Sequence, residues 1–351
     1  VDMKELIDNK ILVEDLKTLI LATKEQVAIS VNSSLTLLYW NIGKKIEEDI
    51  LKNSRANYGE QIVHSVSTQL TQEFGRGYSK RNVINMIRFY KIFNDEKIVH
   101  SLSTQLTWTH LKTLIYIEDE LKRTFYIEMT KLDKWSTRTL NDKIESMLYE
   151  RTVLSKKPDE LISYEIEKLK EGVVTPNIIL KDPYILDFLE LNDRYLEKDL
   201  EDAILRDIEN FILELGNGFS FIARQKRVQI GNDDFYIDLL FYNRKLKRLI
   251  AIDLKLGKFK AEYKGQMELY LKYLEKYEKE DDENRPLGII LCSDKNEEQI
   301  ELLELGESDI HIAKYLTVLP PKDKFEKRLH RAIENAKQKY KIKNYKEDEL
   351  I

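Results

Sequence analysis

Apolar residues in the first part of the chain recur mostly three or four positions apart. Leu12, Leu16, Ile20, Val27 and Ile29 run into Leu35, Leu38, Ile42 and Ile46. That period predicts one or two long amphipathic helices. A further helix is predicted from near Tyr58 to Phe74, stopped by Gly75-Arg76-Gly77, and another from Lys80 to Phe93 with Ser79 as its N-cap. A broken helix around Thr107 to Leu132 and one from Ser136 to Arg151 complete an all-helical first half. Within it, His64-Ser-Val-Ser-Thr-Gln-Leu-Thr71 and His100-Ser-Leu-Ser-Thr-Gln-Leu-Thr107 are nearly identical. Two copies with unrelated flanks read as a local duplication, with His64 and His100 in solvent or at caps.

The regular pattern then breaks at Lys156-Lys157-Pro158, Thr175-Pro176-Asn177 and Asp182-Pro183. The expected division is a helical domain over 1–155, a connecting region over 156–198 and a second domain over 199–351. In that second domain the period alternates between helix and strand. A helix over Leu200–Leu215 precedes strands over Phe219–Ile230, Asp234–Tyr242 and Arg248–Leu256, then a helix over Glu262–Tyr277 and a strand over Leu287–Cys292. A helix near Glu297–Leu305, a strand near His311–Leu319 and a charged helix from Lys322 follow. This αβββαβ order predicts an α/β core with helices flanking a central mixed sheet.

Composition narrows the options. Twelve Gly and six Pro in 351 residues, with abundant Lys, Glu and Ile, suit a helix-rich folded chain. The balance of 57 basic and 62 acidic residues leaves a net charge of -5, so attraction to nucleic acid must come from local patches. Cys292 is the only cysteine, which excludes an intrachain disulfide or a cysteine zinc site, and its apolar surroundings predict a buried thiol. No apolar run approaches the length of a membrane helix, and no apolar signal core is present, so the expectation is a cytoplasmic protein without membrane contact.

The strands contain the chemistry. In Leu249-Ile-Ala-Ile-Asp253-Leu-Lys255, alternation with period two places Asp253 and Lys255 on one face with Leu249 and Ala251. Asp238 lies on the preceding strand of the same hairpin. Carboxylates and an ammonium in an apolar strand cost several kcal/mol unless they are paired or bind metal. An isolated Asp-x-Lys on a strand is most often a surface ion pair, and Asp233-Asp234 at the strand start are rival acids. The Gly75-Arg-Gly77 turn lacks the Gly-Lys-Ser/Thr of a P-loop, which sets aside nucleotide hydrolysis of that kind.

An Asp on the second strand of a meander, an Asp-x-Lys on the third and the αβββαβ order together resemble the PD-(D/E)XK nuclease superfamily. The YhcG-like family within it is similar along Phe219–Gln225, Phe235–Tyr242, Ile252–Lys260 and Glu262–Leu271, and also at Tyr39-Trp-Asn-Ile-Gly43 and Phe74–Asn82. The resemblance implies a restriction-endonuclease-like core, a helix-turn-helix-like N-terminal domain and metal-dependent hydrolysis of phosphodiester bonds, DNA being the favoured substrate. It implies that Asp238, Asp253 and the carbonyl of Leu254 ligate Mg²⁺ or Mn²⁺, and that Lys255 acts on the reacting water and phosphate. The resemblance implies Glu more often than Asp at the position of Asp253; the superfamily accepts either. Glu201 resembles the helical acid that completes such sites, with Asp202 and Glu209 as rivals. Gln225 and Gln266 are candidates for contacting water or phosphate.

For nucleic acid, Arg224-Gln225-Lys226-Arg227 and the turn Asn243–Arg248 place positive charge near the candidate site, and Lys258 and Lys260 extend it. Arg76, Lys80, Arg81 and Arg88 surround a helix start suited to phosphate. Charged turns and helix faces are equally ordinary solvated surface. A homodimer through the long N-terminal helices is compatible with the sequence. The competing reading is a catalytically silent binding or assembly protein that keeps the nuclease fold.

Overall fold

The computed structural model describes residues 3–52, 58–152, 157, 159–191, 195–303 and 309–348. Lys156, Pro158 and residues 304–305, used in the readings above, lie outside these, and Leu12 is described by its backbone only. The chain divides into two compact units, Val1–Asp142 and Lys143–Ile351.

The first unit is helical. A single helix α1 (Met3–Lys52) is followed by α2 (Tyr58–Phe74), α3 (Lys80–Ile92), α4 (Glu96–Gln105), α5 (Trp108–Leu114), α6 (Glu120–Asp133) and α7 (Thr137–Glu145), within which the division falls. Gly75 ends α2 with φ of 89°, the left-handed region a glycine enters at no steric cost. Ser79 occupies the N-cap position of α3, although its side chain makes no capping bond. Helix α4, which takes in the first six residues of the second octet, is absent from the pattern reading; Asp95 starts it by accepting the N–H of Lys97 at 2.8 Å. His64 and His100 are both exposed, as expected for solvent-facing positions. The second half of α1 packs on α3 and α4, where Trp40 Nε1 donates to the Phe93 carbonyl at 2.6 Å. Gly43 lies against the backbone of Met86, so close that a Cβ there would collide with the Met86 carbonyl.

In the second unit, α8 (Leu148–Arg151), α9 (Asp159–Lys170), α10 (Pro176–Ile179) and strand β1 (Tyr184–Ile185) lead to α11 (Glu197–Arg206) and α12 (Ile208–Leu215). The predicted meander follows as β2 (Phe219–Ile230), β3 (Asp233–Asn243) and β4 (Arg248–Lys258), then α13 (Glu262–Tyr277), β5 (Leu287–Asp294), α14 (Glu297–Leu302), β6 (Ile310–Leu316) and α15 (Lys322–Asp348). The six strands form one mixed sheet in the order β1-β6-β5-β4-β3-β2. β2, β3 and β4 pair antiparallel, and β4, β5, β6 and β1 pair parallel.

Two differences from the pattern reading have clear causes. The stretch read as a connector belongs to the α/β unit: β1 pairs with β6, and Arg151 reaches Glu214 on α12 at 2.6 Å. Ile185 N–H donates to the same carboxylate at 2.9 Å, and buried Lys181 contacts the Glu214 carbonyl. The helix predicted over Leu200–Leu215 is two helices, because Asp207 leaves helical geometry at φ -122° and ψ 45°.

Alternation divides the sheet into two buried faces. Leu239, Phe241, Ile250, Ile252 and Leu254 pack on Leu200, Ile204, Phe211 and Leu215 of α11 and α12. Leu240, Leu249, Ala251 and Cys292 pack on Met267, Tyr270, Leu271 and Leu274 of α13. Asp253 and Lys255 therefore extend the α13 face, while Glu201 reaches the sheet from the other side.

Candidate active site

The β3–β4 ladder runs from Asn243 opposite Arg248 to Leu239 opposite Ile252 and stops there. Beyond that point β3 stays with β2, Ile237 facing Lys226, while β4 stays with β5, Asp253 facing Ile290 and Lys255 facing Cys292. The antiparallel pair forks one residue before the two aspartates. At the fork Asp238 takes over from the missing ladder: its Oδ2 accepts the Leu254 N–H at 2.8 Å.

Lys255 Nζ stands 2.9 Å from Asp253 Oδ2, in an apolar setting where the aspartate is 1% exposed. Burial lifts the Asp253 carboxyl to about 7, the Lys255 charge opposing and the Asp238 charge adding to the lift. Burial works against the Lys255 ammonium too, but Asp253 beside it holds its pKa above the ordinary lysine value. The same ammonium lies 5.2 Å from the centre of the Tyr263 ring.

On the opposite side, Gln225 Nε2 donates to Glu201 Oε2 at 2.8 Å and to Asp238 Oδ1 at 3.0 Å. Gln225 achieves this from a left-handed backbone, φ 44°, beside an irregularity in β2 between Phe221 and Ala223. Burial raises the pKa of Glu201, with the Gln225 hydrogen bond opposing and the Asp238 charge adding. A cavity of about 350 Å³ opens here, lined by Glu197, Lys198, Glu201, Arg224, Gln225, Asp238 and Leu254.

The structure thus brings Asp238, Asp253, Lys255, Leu254, Glu201 and Gln225 together. Of their rivals, Glu209 is exposed, Asp234 is exposed and pairs with Arg227 at 2.8 Å, and Asp202 is half-buried and lies 3.5 Å from Arg224, which it shares with Glu201. Gln266 sits one step away, donating to Tyr270 Oη at 2.5 Å, which in turn donates to the Tyr236 carbonyl at 2.9 Å. Glu197, not singled out from the sequence, lines the cavity and accepts the Leu256 N–H at 3.0 Å. Nothing in the sequence separates it from the other acids at the start of α11. Cys292 is buried, and burial pushes its thiol up to about 11.

The candidate phosphate contacts are mixed. Arg224 lies 3.4 Å from Glu201, Lys226 2.8 Å from Glu278, Lys258 3.9 Å from Asp294 and Lys260 3.4 Å from Glu262. In the helical unit Arg76 and Arg81 are exposed and Lys80 lies 3.7 Å from Glu60. Arg88 is engaged within its own unit, its Nε donating to the Ile115 carbonyl at 2.8 Å and its guanidinium 4.5 Å from the centre of the Tyr116 ring.

A divalent cation suits this donor set in one respect. Asp253 Oδ2 and Glu201 Oε1 are buried carboxylate oxygens, the first 2.9 Å from the Lys255 ammonium and the second 3.4 Å from the Arg224 guanidinium, and such hard oxygens are what Mg²⁺ or Mn²⁺ takes. Yet no three His, Cys, Asp or Glu side chains among the described residues are already gathered about one metal position. The Lys255 ammonium and the neutral Gln225 amide are instead the donors that face the acids.

Comparison with known proteins adds to this geometry. Residues 177–330 match the YhcG PDDEXK nuclease domain model, and residues 15–151 match the DUF1016 N-terminal domain model. The YhcG protein of Escherichia coli (strain K12), provisionally named a nuclease, is 32% identical over 304 residues, covering 78% of this chain and 80% of that protein. Among solved structures, a repair endonuclease from Pyrococcus abyssi is similar at 22% identity and a TM-score of 0.26, covering 37% of this chain. An EndoMS–dsDNA complex is similar at 16% identity and a TM-score of 0.25, again over 37% of this chain. The matches span 50% and 49% of those two chains. No helix among the described residues is long and apolar enough to cross a membrane.

Proposed function

The chain belongs to the YhcG family of PDDEXK nuclease-domain proteins, and from that premise we propose that it is a divalent-metal-dependent endonuclease hydrolysing phosphodiester bonds in DNA. The observation that carries this reading is the convergence of Asp238, Asp253 and Lys255 at the β3–β4 fork, with Glu201 closing the cavity beside them. Asp238, Asp253, the Leu254 carbonyl and Glu201 would hold Mg²⁺ or Mn²⁺. Bound there, the cation would supply Lewis-acid polarisation and neutralise phosphodiester charge. Lys255, kept protonated by Asp253, orients the attacking water and stabilises charge that develops on the phosphoryl oxygens. Gln225 aligns Glu201 with Asp238, and Gln266 acts through Tyr270 on the same face as Lys255.

Phosphate-positioning cations come from Arg224, Lys226, Arg227, Lys258 and Lys260, which exchange their acidic partners for the nucleic-acid backbone. Arg76, Lys80 and Arg81 extend this role to the helical unit, read as helix-turn-helix-like. Incubation of the purified full chain with duplex, single-stranded and branched DNA and with RNA, in Mg²⁺ or Mn²⁺ against EDTA, tests the proposal. Cleavage that persists in Asp253→Ala or Lys255→Ala would sink it.

One observation favours a second reading, a nucleic-acid-binding protein that keeps the fold without turnover. Lys255 and Gln225 engage the acids that a cation would need. Binding of DNA or RNA by the full chain, without cleavage of any of these substrates in Mg²⁺ or Mn²⁺, selects this alternative.

A further inference from the structure

Every side chain of α1 from Val13 to Val31 is exposed. The helix is far from polar along that stretch, and a long helix with an apolar stripe in water gains most of its stability from covering that stripe. Positions 13, 16, 20, 24, 27, 31, 35 and 38 follow the spacing 3-4-4-3-4-4-3, an eleven-residue repeat that keeps one side of a nearly straight helix. All but Lys24 are Val, Leu or Ile, each between 43% and 57% exposed. The stripe points away from the side of α1 used within its own unit. That side carries Asn32, which donates to the Ser103 and Leu106 carbonyls, and the buried Thr36 and Trp40.

The spacing reads the same in both directions. A two-fold axis between Glu25 and Gln26 places Val13 opposite Leu38, Leu16 opposite Leu35, Ile20 opposite Val31 and Lys24 opposite Val27. We propose that α1 pairs antiparallel with α1 of a second copy of this chain through this stripe, so that the assembly holds two nuclease units. Such an isologous contact needs one self-complementary surface, and the stripe supplies it. The paired segment is about 37 Å long. The half-exposed side chains of two copies amount to on the order of 1,000 Å² of apolar surface, the scale at which specific interfaces begin.

Lys24 is the single charged position in the stripe and lies beside the axis. Its stem packs while its ammonium reaches the flank, and two such charges near each other weaken the pair while fixing its register.

Sedimentation of the full chain across micromolar concentrations tests the proposal. The expected result is a dimer that Val27→Glu converts to monomer, with helix content lost at most from the uncovered part of α1, since Val27 is exposed within its own chain. Lys24→Leu should lower the dissociation constant by at least about tenfold. Mixing Ile20→Cys with Val31→Cys proteins should give a disulfide-linked heterodimer, while neither variant alone cross-links, Cys292 being buried. A monomeric wild type, a dimer indifferent to Val27→Glu, or cross-linking of Ile20→Cys with itself would overturn the proposal.

Discussion

Asp238 Oδ2 accepts the backbone N–H of Leu254 at 2.8 Å, so a side chain of β3 fastens the Asp253–Lys255 end of β4 where the strand ladder has ended. The same carboxylate is a proposed metal ligand, and the two roles separate on substitution. Asp238→Asn keeps an acceptor for Leu254 and should lower stability by no more than about 1 kcal/mol while cleavage falls at least about 100-fold. Asp238→Ala leaves the buried N–H of Leu254 unpaired and should cost about 1–3 kcal/mol as well. Denaturant melts beside single-turnover cleavage distinguish the two.

Lys255 and Asp253 form one buried pair, yet their proposed chemical duties differ. Lys255→Met removes the cation proposed to act on the phosphoryl group, and cleavage should fall about 100-fold or more. Because both proposed aspartate ligands remain, the variant should still bind Mn²⁺, read by calorimetry. Loss of Mn²⁺ binding in Lys255→Met would show that the lysine maintains the ligands rather than the reaction.

Much of this site was legible from period two alone. Alternation places Asp253 beside Lys255, and the 2.9 Å contact agrees. Other features depend on geometry that no sequence window contains. Glu201 is buried against Gln225, whereas its neighbour Asp202 is half-buried and Glu209, beyond the break at Asp207, is exposed. Gln225 bridges two acids only through a left-handed residue beside a strand irregularity, and neither feature has a composition signal. Strand β1 is two residues long and follows Asp182-Pro183, so turn chemistry hides it. Arg88, the ninth residue of α3, groups by sequence with the basic residues around the helix start, while its guanidinium meets a carbonyl and an aromatic ring nearby, contacts that no sequence window contains.

The Glu214 carboxylate lies 2.6 Å from Arg151 and 3.6 Å from Lys181, which are 2% and 3% exposed. Burial drives the Lys181 pKa down to about 7 despite that carboxylate. Glu214→Ala leaves buried cations uncompensated and should destabilise the α/β unit by about 3–5 kcal/mol, enough to abolish cooperative folding of a marginal protein. Glu214→Gln, which retains an acceptor for the Ile185 N–H, should cost less. Far-UV melts of the two variants against wild type check the order.

Gly43 sits where α1 crosses α3, and a methyl group added there meets the Met86 backbone. Backbone cannot swing aside as a side chain can, so Gly43→Ala should cost about 1–3 kcal/mol. All three tryptophans, Trp40, Trp108 and Trp135, lie in the helical unit, so intrinsic fluorescence reports that unit alone. The fluorescence melting temperature should drop by several degrees, and an unchanged value would mean that the two helices can separate without loss.

The same fluorescence reads a pH effect built into α5. Thr107 N–H donates to His110 Nδ1 at 3.2 Å while His110 N–H reaches Thr107 Oγ1 at 3.4 Å, a reciprocal cap that needs an unprotonated Nδ1. Burial lowers the His110 pKa, opposed by a hydrogen bond to the Trp135 backbone. The folded imidazole therefore binds its proton less readily than the unfolded one, whose pKa is about 6.5. As pH falls below that value the unfolded chain gains the proton first, so the stability of the helical unit declines, levelling off only below the folded pKa. Fluorescence melts between pH 7.5 and 5 should show this decline. His110→Gln, which offers an amide oxygen that does not titrate in place of Nδ1, should flatten it; an equal slope in that variant would assign the effect to other groups.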